Sequence, residues 1–385
     1  MTDLEKKLQK CLHNADEALT IPPECYSNEK IYEIEKKAFF YNQWIPLGHV
    51  NHLKNSGDFF TKEVANVPII VIRDKKNNLR IFSNVCRHRG ARLLSGSGNV
   101  KGIICPFHSW AYNLNGDLSG APEMKDAKNF HKNDYGLREF NSRIINGFGF
   151  VEMNDNSSLE DQLNNFQKIH SQWPINNLVC TRRRSFQVAC NWKLFLEVFN
   201  EYYHLPFVHP ETIGSVYQKP LAPENTNGSF TSQLGKTSGT GALLEKDQHY
   251  ALPKMDGIHK EVVDSVRYTW IFPNLTFAIS DDALWIYEAD PIDAKNSLIT
   301  QSVCFPNKTI NDNNFQKLSL QYYHRMDAAI QEDIVALENQ QEGLNSFFAL
   351  QGRFSPLLEA NVAAFAKWYA KKLIDTDLNS TNSNF

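Results

Sequence analysis

The sequence predicts an α+β protein, with a small all-β domain followed by a larger domain of antiparallel strands and long helices. Three observations predict it. Between residues 44 and 155, strand-like runs alternate with turn signals. Further on, VRYTWIFPNLTFAIS, DALWIYEADPI and LITQSVCFP follow one another as a strand meander. The chain then changes period, and from about 313 to 347 Leu318, Tyr322, Met326, Ile330, Ile334 and Leu337 trace a helical apolar stripe. Runs of strands followed by runs of helices mark this class. The 385 residues, 42% hydrophobic and 22% charged, allow two or three domains with a large core.

The elements follow in order. Residues 1–20 carry Leu4, Leu8, Leu12 and Leu19 near helical spacing, and 30–43 read as a second helix. VPIIVIRD and LRIFSNV are strands, with turns at Asn-Ser-Gly, Lys-Lys-Asn-Asn and Asn-Gly. Residues 100–118 read as strand, tight loop and strand, and INGFGFVEM closes the β region. A helix is expected at 157–173, then a strand over TRRRSFQVACNW entering a helix at 193–204 that Pro206 ends. Residues 212–262, rich in Gly, Ser, Thr, Asn and Lys, read as a long loop at an active-site entrance. A last helix spans 357–373, and the polar tail TDLNSTNSNF reads as disordered.

Several function classes are excluded at this level. The net charge of −3 gives no bias toward nucleic acid or anionic membrane. No apolar run approaches the roughly 20 residues that cross a bilayer. The N-terminus mixes charges and lacks an apolar core, unlike a secretory signal. The expected location is the cytoplasm, with no nucleic-acid or membrane partner. Seven scattered cysteines, an odd number, argue against a disulfide framework.

Two of those cysteines stand in metal-ligand spacing: Cys86-Arg-His88, sixteen residues, then Cys105-Pro-Phe-His108. Two thiolates on one iron and two imidazoles on the other define a Rieske 2Fe–2S cluster. Each Cys–His pair needs a tight loop, and the Gly-rich segment between them suits two loops facing each other. The alternative is a Cys₂His₂ zinc site, but zinc fingers do not pair one Cys with one His in each half. Arg87, Arg89, Arg92 and Lys101 crowd the motif, either as a solvated basic face or as a docking surface for an acidic electron donor.

Such a cluster moves one electron at a time, so the chemistry needs a second centre. His204 and His209 are five residues apart, a spacing that diverges by about 140° on a regular helix. Pro206 between them lets the chain break and His209 swing back. A 2-His-1-carboxylate iron site then needs an acid. Asp327, Glu332 and Asp333 are the candidates on the long helix; Asp333, at the edge of the apolar stripe, faces inward best, and the other two face solvent.

The motifs CRHRG, CPFHSW, NWK followed by Glu201-Tyr-Tyr-His204 and His209, FPN at 272–274 and QEDIVALENQQEGL at 331–344 resemble the catalytic α subunits of Rieske non-haem iron oxygenases. The resemblance covers about 20–373. It implies an all-β Rieske domain over 44–155 and a helix-grip (START-like) catalytic domain over 156–375. N-terminal helices over 1–43 would pack on the catalytic domain, and a disordered tail would occupy 376–385. It also assigns Asp333 as the iron carboxylate. Glu201, where most members carry Asp, would bridge His204 to His108 of a neighbouring chain within a head-to-tail homotrimer. Val198 departs from the Asn of many relatives.

Glu201, SGSG at 95–98 and GRFSP at 352–356 are similar to the branch that oxidises small quaternary amines. For that branch the resemblance implies hydroxylation of a C–H bond beside nitrogen, followed by demethylation or C–N cleavage. Hydroxylation of an aromatic ring is the alternative. A quaternary ammonium is held by aromatic faces, and Phe199, Tyr203, Phe207, Phe272 and Trp285 are the pocket residues expected. The cofactors implied are one 2Fe–2S cluster and one mononuclear Fe(II) per chain. No G-x-G-x-x-G follows a strand, so electrons are expected from a separate flavin-containing reductase or a ferredoxin.

Overall fold

The computed structural model describes residues 2–155 and 157–380. They form two compact units, one over Tyr41–Ser157 and one that joins the residues up to Phe40 with those from Ser158 onward.

The smaller unit is all β apart from one short helical turn. Its strands are β1 (Ile45–His49), β2 (Asp58–Val64), β3 (Val67–Arg73), β4 (Leu79–Ser83), β5 (Ser97–Asn99), β6 (Ile103–Ile104), β7 (Ala111–Tyr112), β8 (Leu118–Gly120), β9 (Glu139–Ile145) and β10 (Phe148–Glu152). Seven of them make an antiparallel sheet ordered β1-β10-β9-β4-β3-β2-β5, and β6-β7-β8 make a second, small sheet. The turn signals work as written. Asn146 and Gly147, both at positive φ, join β9 to β10, the dihedral pattern a two-residue hairpin turn needs.

The larger unit begins with α1 (Asp3–Gln9) and α2 (Glu29–Glu35). The helix read over 1–20 therefore ends early, passing into a 3₁₀ turn at Lys10–Leu12. The stretch 157–173 is two one-turn helices, α3 (Leu159–Gln162) and α4 (Phe166–Ile169), separated by Asn165 at φ +70°. Next come β11 (Leu178–Val188) and α5 (Trp192–Phe199), whose N-cap Asn191 accepts the Lys193 amide at 3.0 Å. The helix stops at Phe199, not at Pro206. There the Asn200 amide turns back to Leu196 O at 2.7 Å and reaches Thr276 at 2.9 Å. Pro206 instead lies in the first turn of α6 (Leu205–Val208), where a missing N–H costs nothing.

Residues 212–262 are not one loop. They hold β12 (Tyr217–Pro220) and β13 (Phe230–Thr237). With β14 (Ser265–Ile271), β15 (Leu275–Ile279), β16 (Leu284–Pro291) and β17 (Ser297–Pro306) they form an antiparallel sheet ordered β11-β17-β16-β15-β14-β13-β12. The chain continues through α7 (Asn307–Ile310) and α8 (Phe315–Leu344) to α9 (Ala360–Ser380). Residues 376–380, expected to be disordered, continue α9, and the rest of that tail lies outside the described residues.

The two-residue period of the strands sorts what covers each face. Tyr268 and Trp270 of β14 meet Phe199 of α5 and Phe365 of α9. Arg267 and Thr269, on the opposite face, meet Trp173 and His170. Both faces are covered, so the central strands are buried throughout.

Candidate metal centres and substrate cleft

The four residues of the cluster motif lie on two loops of the same build. In each, the residue four beyond the cysteine sits at positive φ (Gly90 at +74°, Ser109 at +57°) and donates its N–H to the cysteine carbonyl. In each, the cysteine N–H closes the loop on the fifth residue, Ala91 O or Trp110 O, at 2.8 Å. Cys86 and Cys105 are buried. The His88 and His108 rings lie 4.8 Å apart, and Trp110 stacks on His88 at 4.8 Å and 10°. The Tyr112 hydroxyl lies 3.4 Å from Cys86 Sγ and accepts the Arg87 amide. Of the basic residues nearby, Arg92 is tied to Glu63 at 2.9 Å, while Arg89 lies over the exposed ring of Phe107.

In the larger unit, His204, His209 and Asp333 offer ligand atoms that all lie within 4.8 Å of one another. The local chain explains the convergence. Glu201 accepts the backbone N–H groups of Tyr203 and His204, forming the turn that starts α6. His204 and His209 flank that single turn, one at each end, and their rings are 5.0 Å apart. Asp333 reaches them from α8, whose register against α5 is held by Gln341. That side chain accepts the Asn191 N–H at 2.8 Å and donates to Tyr26 O.

Both histidines turn Nε2 toward Asp333 Oδ1, at 3.6 Å for His204 and 2.9 Å for His209. Both give Nδ1 to a second carboxylate: His204 to Glu201 at 2.5 Å, His209 to Glu332 at 2.6 Å. Glu332 is not solvent-facing as expected; it bonds His209 and Thr212. Asp327 pairs with Arg182 and Arg184. Burial pulls the His204 pKa down, but the Glu201 hydrogen bond and the Glu201 and Asp333 charges outweigh it and leave it above the ordinary histidine range.

The triad opens into a cleft lined by Phe195, Val198, Phe199, Tyr268, Tyr287 and Arg325 among others. Of the five pocket residues expected, Phe199 lines it. Tyr203 and Phe207 are exposed, because the tight turn at Glu201 throws them outward. Phe272 packs with Phe365 and Trp368, and Trp285 is buried in the sheet beneath Arg325. Gln341 and Arg325 were not singled out from the sequence, and Glu332 was named only as a candidate iron carboxylate, not as the support of His209. Only the acidic-then-acidic pair Glu332-Asp333 carried any signal, since one helix cannot aim two adjacent residues at the same point.

The model of the ring hydroxylating alpha subunit catalytic domain matches residues 170–374, more than half of the chain, and the Rieske [2Fe–2S] domain model matches 43–131. The chain belongs to the Rieske non-haem iron oxygenases. It is 30% identical to the carnitine monooxygenase oxygenase subunit of Acinetobacter baumannii over 90% of this chain and 91% of that one. It is 24% identical to the glycine betaine monooxygenase oxygenase subunit of Pseudomonas aeruginosa, over 94% and 91%. A solved quaternary ammonium Rieske monooxygenase, described for carnitine oxidation and inter-subunit electron transfer, superposes with a TM-score of 0.82 at 28% identity, covering 95% of this chain and 98% of that one.

As a Rieske oxygenase the chain takes a 2Fe–2S cluster and a mononuclear iron. The side chains present fit both. His108 Nδ1 is buried with no hydrogen-bond partner, beside two buried free thiols. Asp333 Oδ1 is likewise buried without a hydrogen bond, although two imidazole nitrogens lie within 3.6 Å. Such close atoms that do not bond one another have lone pairs directed at a common point, as ligands of one cation do. No helix among the described residues is long and apolar enough to cross a membrane.

Proposed function

We propose that this chain is the oxygenase component of a two-component monooxygenase that hydroxylates the carbon next to nitrogen of a small quaternary amine. The observation that carries it is an aromatic-walled cleft ending on His204, His209 and Asp333. Relatives named for carnitine and glycine betaine support the substrate class. A quaternary nitrogen has no N–H to donate and no lone pair to accept with, so aromatic faces are what can hold it. Phe199, 4.7 Å from Tyr287 and 5.2 Å from Tyr268 in edge-to-face contact, starts such a box.

His204, His209 and Asp333 would hold the iron, which when bound supplies dioxygen activation. Cys86, His88, Cys105 and His108 would hold the cluster. Glu201 and Glu332 keep the two imidazoles oriented, with Nδ1 occupied and Nε2 free. The tyrosine and phenylalanine walls exclude water from the reacting carbon. One atom of O₂ enters that carbon and the other leaves as water, using two electrons and two protons. Hydroxylation of an N-methyl gives a hemiaminal that collapses to formaldehyde and the demethylated amine.

The electrons come from a separate flavin-containing reductase or ferredoxin in the cytoplasm. In the assembly inferred, a head-to-tail homotrimer, Glu201 links His204 to His108 of the next chain. The test supplies a generic reductase and NADH and follows substrate-dependent oxygen uptake with quaternary amines and with aromatic acids. Uptake with quaternary amines, together with the released aldehyde, is the expected result. Turnover confined to aromatics rejects the substrate class.

A further inference from the structure

Four lysine or arginine side chains are buried among the described residues: Lys36, Lys193, Arg267 and Arg325. Three have a carboxylate. Lys36 pairs with Glu33 at 2.7 Å, Lys193 with Glu35 at 2.8 Å and Arg267 with Glu224 at 2.8 Å. Arg325 is 2% exposed and has none. Its Nη2 donates to the Tyr217 hydroxyl at 2.9 Å, its Nη1 faces Met326 Sδ at 3.3 Å, and its Nε–H has no acceptor. The Tyr217 hydroxyl is already in use, accepting from Tyr268 and donating to Gly241 O. The Trp285 ring, 5.2 Å from the guanidinium carbon, is the other group beneath it, and a ring and neutral hydroxyls supply no counter-charge, so a buried cation of this kind is stabilised by an anion.

Arg325 also lines the cleft that ends on the histidine pair. It stands eight residues before Asp333 on α8, about 12 Å along the helix axis. The guanidinium and the metal-binding carboxylate therefore mark different levels of one cleft, with the aromatic walls of Phe199, Tyr268 and Tyr287 also lining it. The acids lining the cleft are Glu201 and Asp333, each already engaged with a histidine. A ligand carrying only positive charge would meet an unpaired cation in a dry site. One carrying a carboxylate would supply the missing partner, and the fork of guanidinium N–H groups suits it.

We propose that Arg325 is the anchor for a carboxylate on the substrate, so that the substrate is a zwitterion with both a quaternary ammonium and an acid. The anchor deepens the quaternary-amine reading and its zwitterion part rests on it. The arginine draws the acid to one level of the cleft and leaves the ammonium end for the aromatic walls and the iron. It also acts against simple quaternary cations, which gain nothing from the aromatic walls that the guanidinium charge does not take back.

The experiment uses the holoenzyme with a generic reductase and NADH, comparing γ-butyrobetaine, its methyl ester, choline and an aromatic carboxylate in wild type, Arg325→Gln and Arg325→Lys. Iron content and the 2Fe–2S spectrum are recorded for each. Wild type should turn over the acid and disfavour the ester and choline. In Arg325→Gln, KM for the acid should rise on the order of 10–100-fold with kcat within a few-fold, and the preference for acid over ester should shrink by the same factor. Arg325→Lys should recover part of it. Equal loss for acid and ester, or wild-type turnover of choline as efficient as that of the acid, overturns the anchor while leaving the quaternary-amine reading standing. Turnover of only the aromatic carboxylate, still dependent on Arg325, leaves the anchor standing and rejects the amine. Should Arg325→Gln fail to fold, wild-type affinities for acid and ester decide, and equal values overturn the anchor.

Discussion

At the residue scale, the proposed iron centre is a set of carboxylates holding imidazoles. Asp333 meets both Nε2 atoms, while Glu201 and Glu332 each take one Nδ1. Asp333→Ala should lower the iron content from about three to about two atoms per chain and leave the cluster spectrum intact. An unchanged iron count would sink the triad. Glu332→Gln keeps the shape but removes the charge behind His209, and should weaken iron affinity by about 10–100-fold, read by chelator competition. Glu197 is a different case. Burial raises its carboxyl to about 7, against the Tyr26 hydrogen bond and the Lys193 charge that lower it. The folded protein therefore holds this proton more tightly than the unfolded chain. Its contribution to stability is complete below the unfolded value of 4.5 and is lost as pH rises through about 7. That loss is at most about 3 kcal/mol, since water reaches part of the side chain. Glu197→Gln should thus gain Tm relative to wild type as pH goes from 5 to 8; a constant difference would refute it.

At the element scale, α2, α5 and α9 are joined by one buried acid. Glu35 accepts from Lys193 Nζ at 2.8 Å, Trp192 Nε1 at 3.1 Å and the Tyr369 hydroxyl at 2.5 Å. Three donors satisfy both oxygens, so the pair is held although neither ion sees water. Removing one partner strands the other, and Glu35→Ala should cost about 3–5 kcal/mol. A lowered Tm checks this, and an unchanged Tm would show that the ion pair is not holding these helices. The same scale shows why β13 was missed. Its buried residues include Thr231, Ser232 and Gln233, which bond Asn361, Thr269 and Leu357 O. A strand whose buried positions are polar carries no apolar alternation to read. Asp333, in contrast, stood out as an acid at the edge of a long stripe, and helical spacing alone aimed it inward.

At the scale of the whole molecule, the residues proposed for each metal centre lie within one compact unit, so on that reading electrons pass from one unit to the other. In the homotrimer proposed, that transfer would run between chains. Mixed trimers of His108→Ala and Asp333→Ala chains, each inactive alone, should recover part of the oxygen uptake on co-expression. Trimers shown to be mixed yet inactive would place the transfer within one chain. Sedimentation of the holoenzyme checks the trimer itself.

By itself, the sequence determined the α+β class, the two Cys–His loops and the long helix with its acid. Each of these rests on local spacing: three or four residues within a loop, two along a strand, 3.6 along a helix. Only the tertiary structure decided the rest. Whether Phe272 or Phe199 faces the cleft depends on what covers it and how the chain turns, which no spacing records. That Glu332 supports His209, 123 residues away, follows from α8 packing beside α6. That Arg325 lacks a carboxylate among the described residues is a property of everything around it. Local periodicity is written in the chain, whereas a missing partner exists only once the core has closed.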